Sequence, residues 1–69
     1  MPHYLAALPL KIRQVNECFV VEDATGQALT YVYFEDQESR RVAMRRMTKA
    51  DALRVAQVTA RALTDNKAA

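Results

Sequence analysis

The chain has a single glycine, Gly26, and its position constrains the fold more than any other residue. It closes the tetrad Asp23-Ala24-Thr25-Gly26 between two runs rich in β-branched and aromatic residues, Cys18-Phe19-Val20-Val21 and Leu29-Thr30-Tyr31-Val32-Tyr33-Phe34. Such runs favour extended backbone because branched and aromatic side chains pack well on a pleated surface. Asp at the first position of a type I turn accepts a hydrogen bond from the backbone two residues on. Gly at the fourth position takes the left-handed conformation of a G1 bulge without a Cβ penalty. The sequence therefore predicts an antiparallel β-hairpin over residues 12–35.

The turn also implies a register. If Asp23 faces Gln27, then Phe19 opposes Tyr31, Val21 opposes Leu29, Cys18 opposes Val32 and Val20 opposes Thr30. One face then carries Phe19, Val21, Leu29, Tyr31 and Tyr33; the other carries Cys18, Val20, Val32 and Phe34. Both faces are apolar, whereas a hairpin with one solvated face alternates apolar with polar residues. Each face needs cover, and one terminal helix does not cover both. A second copy of the chain is the expected supplier, stacked on one face or extending the sheet at an edge. Phe19, Tyr31, Tyr33, Phe34 and Val58 form the pool of expected dimer contacts.

Flanking segments complete the architecture. Residues 1–10 read as an extended lead-in, because Pro2 and Pro9 disfavour helix at the residues before them. Residues 38–47 are ambiguous between a short basic helix and a third strand. Ala43, Met44 and the arginines are good helix formers, and Glu35, Asp36 and Glu38 suit a helix N-terminus. Val42 and Met44 alternate with Arg41, Ala43 and Arg45 as a strand would require. Residues 48–64 predict a helix. Thr48 followed by Asp51 resembles a capping box. At about 100° per residue, Ala52, Leu53, Ala56, Ala60 and Leu63 form one stripe, widened by Val55 and Ala62. Residues 65–69 are expected to fray. The expected fold is one α+β domain spanning 1–69: an antiparallel hairpin sheet of two or three strands, a short basic helix or strand, and a C-terminal amphipathic helix packed on the sheet.

A chain of 69 residues has little interior to bury, and the usual staples are missing. Cys18 is the only cysteine, which excludes an internal disulfide, and with His3 the only histidine no Cys/His zinc site can be built from one copy. Self-association is the remaining source of stability. No apolar run approaches the roughly 18 to 20 residues of a membrane span. The N-terminus has no basic region ahead of an apolar stretch, so no signal peptide is expected. A cytoplasmic protein is the expectation.

The net charge of +2 conceals an asymmetry. Residues 1–37 hold two bases against five acids, a balance of −3, and residues 38–69 hold eight bases against three acids, a balance of +5. The dense part is Arg40, Arg41, Arg45, Arg46 and Lys49, the candidate contacts for nucleic acid or an acidic partner. On a helix, adjacent arginines diverge by about 100°, so such a patch is diffuse. Catalytic candidates are few: His3 has no serine or carboxylate beside it, and Cys18 sits among apolar residues with nothing to lower its pKa. One glycine cannot make a phosphate-binding loop, and Glu35, Asp36 and Glu38 match no calcium loop. No catalytic residue, cofactor or metal ligand is assigned.

The stretch from Cys18-Phe19-Val20-Val21-Glu22-Asp23 to Tyr31-Val32-Tyr33-Phe34-Glu35-Asp36, with Met47-Thr48-Lys49-Ala50-Asp51-Ala52 after it, resembles a family of short uncharacterised alphaproteobacterial proteins. Those chains run a CFVVxDANGQxLAYVYFEDEPGRR phrase into an LTRDEARRIA-type helix. The likeness covers about residues 17–63, with Gln37-Glu38-Ser39 where Glu-Pro-Gly is common and without the family's Leu-Pro ending. The resemblance implies the hairpin-plus-helix layout and brings no activity with it. The functional expectation is a non-enzymatic interaction module that self-associates through apolar hairpin surface. The alternative is a weak nucleic-acid binder using Arg40–Lys49.

Overall fold

The computed structural model describes residues 6–65. Expectations for His3 and the Lys67-Ala68-Ala69 tail lie outside them. Three antiparallel strands, β1 (Lys11–Val15), β2 (Cys18–Glu22) and β3 (Ala28–Tyr33), form one sheet in the order β1-β2-β3. Two helices follow, α1 (Glu38–Met44) and α2 (Lys49–Asp65). The fold is α+β, with the C-terminal helix packed on the sheet. The third strand lies before the hairpin, not in residues 38–47, where a helix forms through Met44. Met47 alone makes a bridge beside Phe34, and its C=O accepts from Glu35 N–H at 2.9 Å.

The glycine turn forms as its chemistry requires. Asp23 Oδ1 accepts from Thr25 N–H (2.9 Å), Thr25 Oγ1 (2.6 Å) and Gln27 N–H (3.0 Å). Gly26 donates to Asp23 C=O at 3.0 Å with φ +93°, a left-handed value at which a Cβ would be strained. Ala24 N–H also donates to Ala7 C=O at 2.7 Å, tying the lead-in to the turn. A second turn, Asn16-Glu17, joins β1 to β2. Asn16 takes φ +52°, which asparagine tolerates better than most residues.

The pairing near the turn follows the expected register only as far as Glu22 opposite Ala28. A bulge then shifts it by one, so that Val21 faces Thr30, Val20 faces Tyr31, Phe19 faces Val32 and Cys18 faces Tyr33. Because side chains alternate with period two, this single extra residue exchanges the faces of β3. Val32 and Phe34 join Phe19 and Val21, while Tyr31 and Tyr33 join Cys18 and Val20.

Helix α2 covers the first of these faces. Phe19, Val21, Val32, Phe34, Ala52 and Ala56 are buried together, with Leu10, Ile12, Met47, Leu53 and Ala60 packed around them. The Phe19 and Phe34 rings lie 5.1 Å apart between centroids. Ala52 and Ala56 are wholly buried, and their small side chains let the helix axis approach the two rings. The helix starts on two oxygens: Thr48 Oγ1 accepts from Asp51 N–H at 3.2 Å and Asp36 Oδ1 accepts from Lys49 N–H at 2.8 Å. A side-chain cap of this kind is worth about 1 kcal/mol. By contrast α1 buries no side chain and has no side-chain N-cap. It ends at Arg45 in the left-handed conformation, φ +56°, with Arg46 N–H reaching back to Arg41 C=O at 3.0 Å.

Candidate interaction surface

The uncovered face of the sheet is built in rows set by strand pairing. Arg13, Val20 and Tyr31 form one row, Val15, Cys18 and Tyr33 the next, and Lys11 stands opposite Glu22. Among the described residues no helix lies over Cys18, Val20 and Glu22, yet all three are buried between β1 and β3, with Arg13 bonded to Glu22. Tyr31 and Tyr33 themselves stay 57% and 51% exposed. The result is an open groove of about 510 Å³ floored by Cys18 and Val20 and flanked by Arg13, Val15 and the two tyrosines.

Most of the charge on this face is paired. Arg13 holds Glu22 through Nη2 at 2.6 Å and Nε at 2.9 Å, both to Oε2. That hydrogen bond, helped by the charges of Arg13 and Lys11, holds the Glu22 carboxyl below its usual range against the opposing effects of desolvation and Asp23. The same contact raises the Arg13 pKa. At the far end Arg46 Nη1 donates to Glu17 Oε1 at 3.2 Å and to Phe34 C=O at 3.4 Å, with its guanidinium 5.1 Å from the Tyr33 ring centre. The buried Cys18 thiol donates to Phe19 C=O at 3.5 Å.

A second groove, about 450 Å³, runs along the outer edge of β3. Thr30, Val32, Met44, Met47, Val55 and Thr59 are among the residues that line it. Met44 and Val55 are exposed.

The expected contact residues divide accordingly. Tyr31 and Tyr33 are on the surface, while Phe19 and Phe34 are buried beneath α2, a consequence of the bulge. Val58 is exposed on the outward side of α2 beside Arg54, Gln57 and Arg61. The basic residues do not converge. Arg40 Nε reaches Glu35 Oε1 at 3.7 Å, Arg41 Nη1 reaches the Glu35 and Asp36 carbonyls at 3.4 and 3.1 Å, and Lys49 Nζ sits 5.8 Å from the Phe34 ring centre. The sequence assigns no contact role to Arg13, Glu22 or Met44, and it places Val55 on the packed stripe of the helix, whereas Val55 is exposed along the second groove. The alternation Lys11-Ile12-Arg13 was the available signal for the first of them.

Among the described residues no group of three or more His, Cys, Asp or Glu is placed to hold a metal, and no helix is long and apolar enough to cross a membrane. No protein-family model, curated protein or solved structure matches the chain.

Proposed function

We propose that the chain is a small non-enzymatic interaction module whose partner is a second copy of itself. The observation that carries this reading is the placement of exposed large apolar side chains. Among the described residues there are seven, and six of them (Tyr31, Tyr33, Val42, Met44, Val55 and Val58) belong to β3, α1 and α2. Four of these, Tyr31, Tyr33, Met44 and Val55, line one groove. Concentrated apolar exposure of this kind marks association surfaces, and a domain this small gains stability by covering it. A single buried thiol suits a reducing compartment, and we place the protein in the cytoplasm.

Nucleic-acid binding through Arg40, Arg41, Arg45, Arg46 and Lys49 has less support, because most of these cations are turned onto the chain's own carboxylates, carbonyls and rings. Sedimentation equilibrium at micromolar concentration tests the leading reading. The expected mass is twice 7.8 kDa; a stable monomer refutes it. A salt-dependent gel shift with single strands and duplex, abolished by replacing the five cations with alanine, would instead favour the basic segment.

A further inference from the structure

Taking self-association as given, we infer that the second copy pairs edge to edge with β3, antiparallel across a two-fold axis, so that two three-stranded sheets join into one. This inference rests on the reading above and assigns it a location.

The sheet has two outer edges, and they differ in charge. β1 reads KIRQV, with Lys11 and Arg13 in five residues, while β3 reads ALTYVY and carries no charged side chain. Two β1 edges brought together would set cations against cations. Two β3 edges meet without that repulsion. Charged side chains on an edge strand are a common guard against unwanted pairing, and β3 lacks the guard.

The backbone points the same way. Phe34 N–H turns inward to Glu17 C=O at 3.0 Å, and the next residue, Glu35, turns its N–H outward to Met47 C=O at 2.9 Å. Successive peptide groups in a strand alternate in direction. Tyr33 and Tyr31 therefore direct their N–H groups outward, and among the described residues no strand lies beyond them. Met47 occupies the edge beside Phe34 and limits the free stretch to the neighbourhood of Tyr31. A two-fold axis beside Tyr31 lets each Tyr31 N–H donate to the Tyr31 C=O of the other copy, an arrangement that is self-complementary by symmetry. The groove beneath this edge, with Met44 and Val55 exposed along it, supplies apolar surface for the second copy to cover. Stacking the open faces instead would bury the Arg13–Glu22 pair and Lys11 under a partner carrying the same charges, which costs desolvation that edge pairing avoids.

The test combines sedimentation equilibrium with backbone amide exchange followed by NMR on the full chain, concentrated and diluted. Edge pairing predicts a dimer in which the Tyr31 amide exchanges slowly only in the concentrated sample. Tyr31→Pro removes an outward N–H without touching an inward ladder bond, and it should weaken the dimer by about a hundredfold or more. Val55→Glu, at an exposed helix position that cannot unfold the core, should weaken it by about tenfold. Gln14→Ala, at an exposed position on the other edge strand, should leave the dissociation constant within about twofold. A monomeric wild type overturns both the inference and the self-association reading. A wild-type dimer whose Tyr31 amide exchanges alike in both samples, and which Val55→Glu does not weaken, overturns edge pairing alone.

Discussion

Val20 and Val21 are neighbours in the central strand, the same residue type and almost equally buried at 3% and 0% exposure, yet they are buried by different means. Val21 lies under α2 among Phe19, Val32, Phe34 and the two buried alanines. Val20 lies on the face without a helix, shielded from the side by its row partners Arg13 and Tyr31. One face is a packed interior. The other is a groove roofed only by long side chains that can move. Low exposure therefore does not by itself identify a core residue, and equal burial need not mean equal stability.

Substitutions on the two faces put that contrast to the test. The largest effect belongs to the packed side: Phe34→Ala removes one ring of the tilted Phe19–Phe34 pair and should cost about 3–5 kcal/mol. In a domain of this size that is enough to leave the protein largely unfolded in a thermal melt. The most direct comparison pairs the valines. Val21→Ala should cost about 2–3 kcal/mol in urea unfolding, because the surrounding rings and helix cannot close on the cavity. Val20→Ala should cost about 1 kcal/mol, since this face is open and the half-exposed Tyr31 ring beside it can settle into the space. Equal losses would show that the open face is as rigid as the covered one.

Acid should weaken the open face through Glu22. The Glu22 carboxyl is held below its ordinary range in the folded state, so its contribution to stability is full above that range and is lost as pH falls below it, through the depressed folded-state value. Urea midpoints of the wild type and Glu22→Gln should differ near neutrality and converge on acidification; a constant gap would remove the Arg13–Glu22 pair from the account. The smallest effect is expected at Tyr31. At dilutions where the chain is monomeric, Tyr31→Thr should change stability by no more than about 0.5 kcal/mol, because the ring is mostly in solvent and threonine suits a strand.

How much of this was readable beforehand follows from local chemistry. Asp23 and Gly26 announce their turn because only certain residues make those bonds and adopt that φ. Helix α2 was readable for a similar reason: an alanine and leucine stripe behind a Thr48 cap has few other uses. The register was not readable, because a bulge next to Leu29 leaves no compositional mark while exchanging every side chain after it. That one residue sent Phe34 into the core and brought Tyr31 and Tyr33 to the open face. β1 was missed because a five-residue strand with two cations and a glutamine looks like surface, and Asn16-Glu17 is a turn without glycine. The groove along β3 joins residues from three elements, and no local pattern records that meeting.

Helix α1 has a consequence beyond stability. Its segment leaves the sheet after Glu35, whose N–H is bound by Met47, and returns at Lys49, whose N–H is bound by the Asp36 carboxylate. Both ends of the excursion are thus fastened beside each other, and α1 buries no side chain, touching the buried Glu35 only through Arg40 and Arg41. Closing the loop is already accomplished by its base, so the other positions of α1 can change at little energetic cost. The chain can revise the Val42 and Met44 surface, and with it what the β3 groove accepts, without rebuilding the domain that carries it.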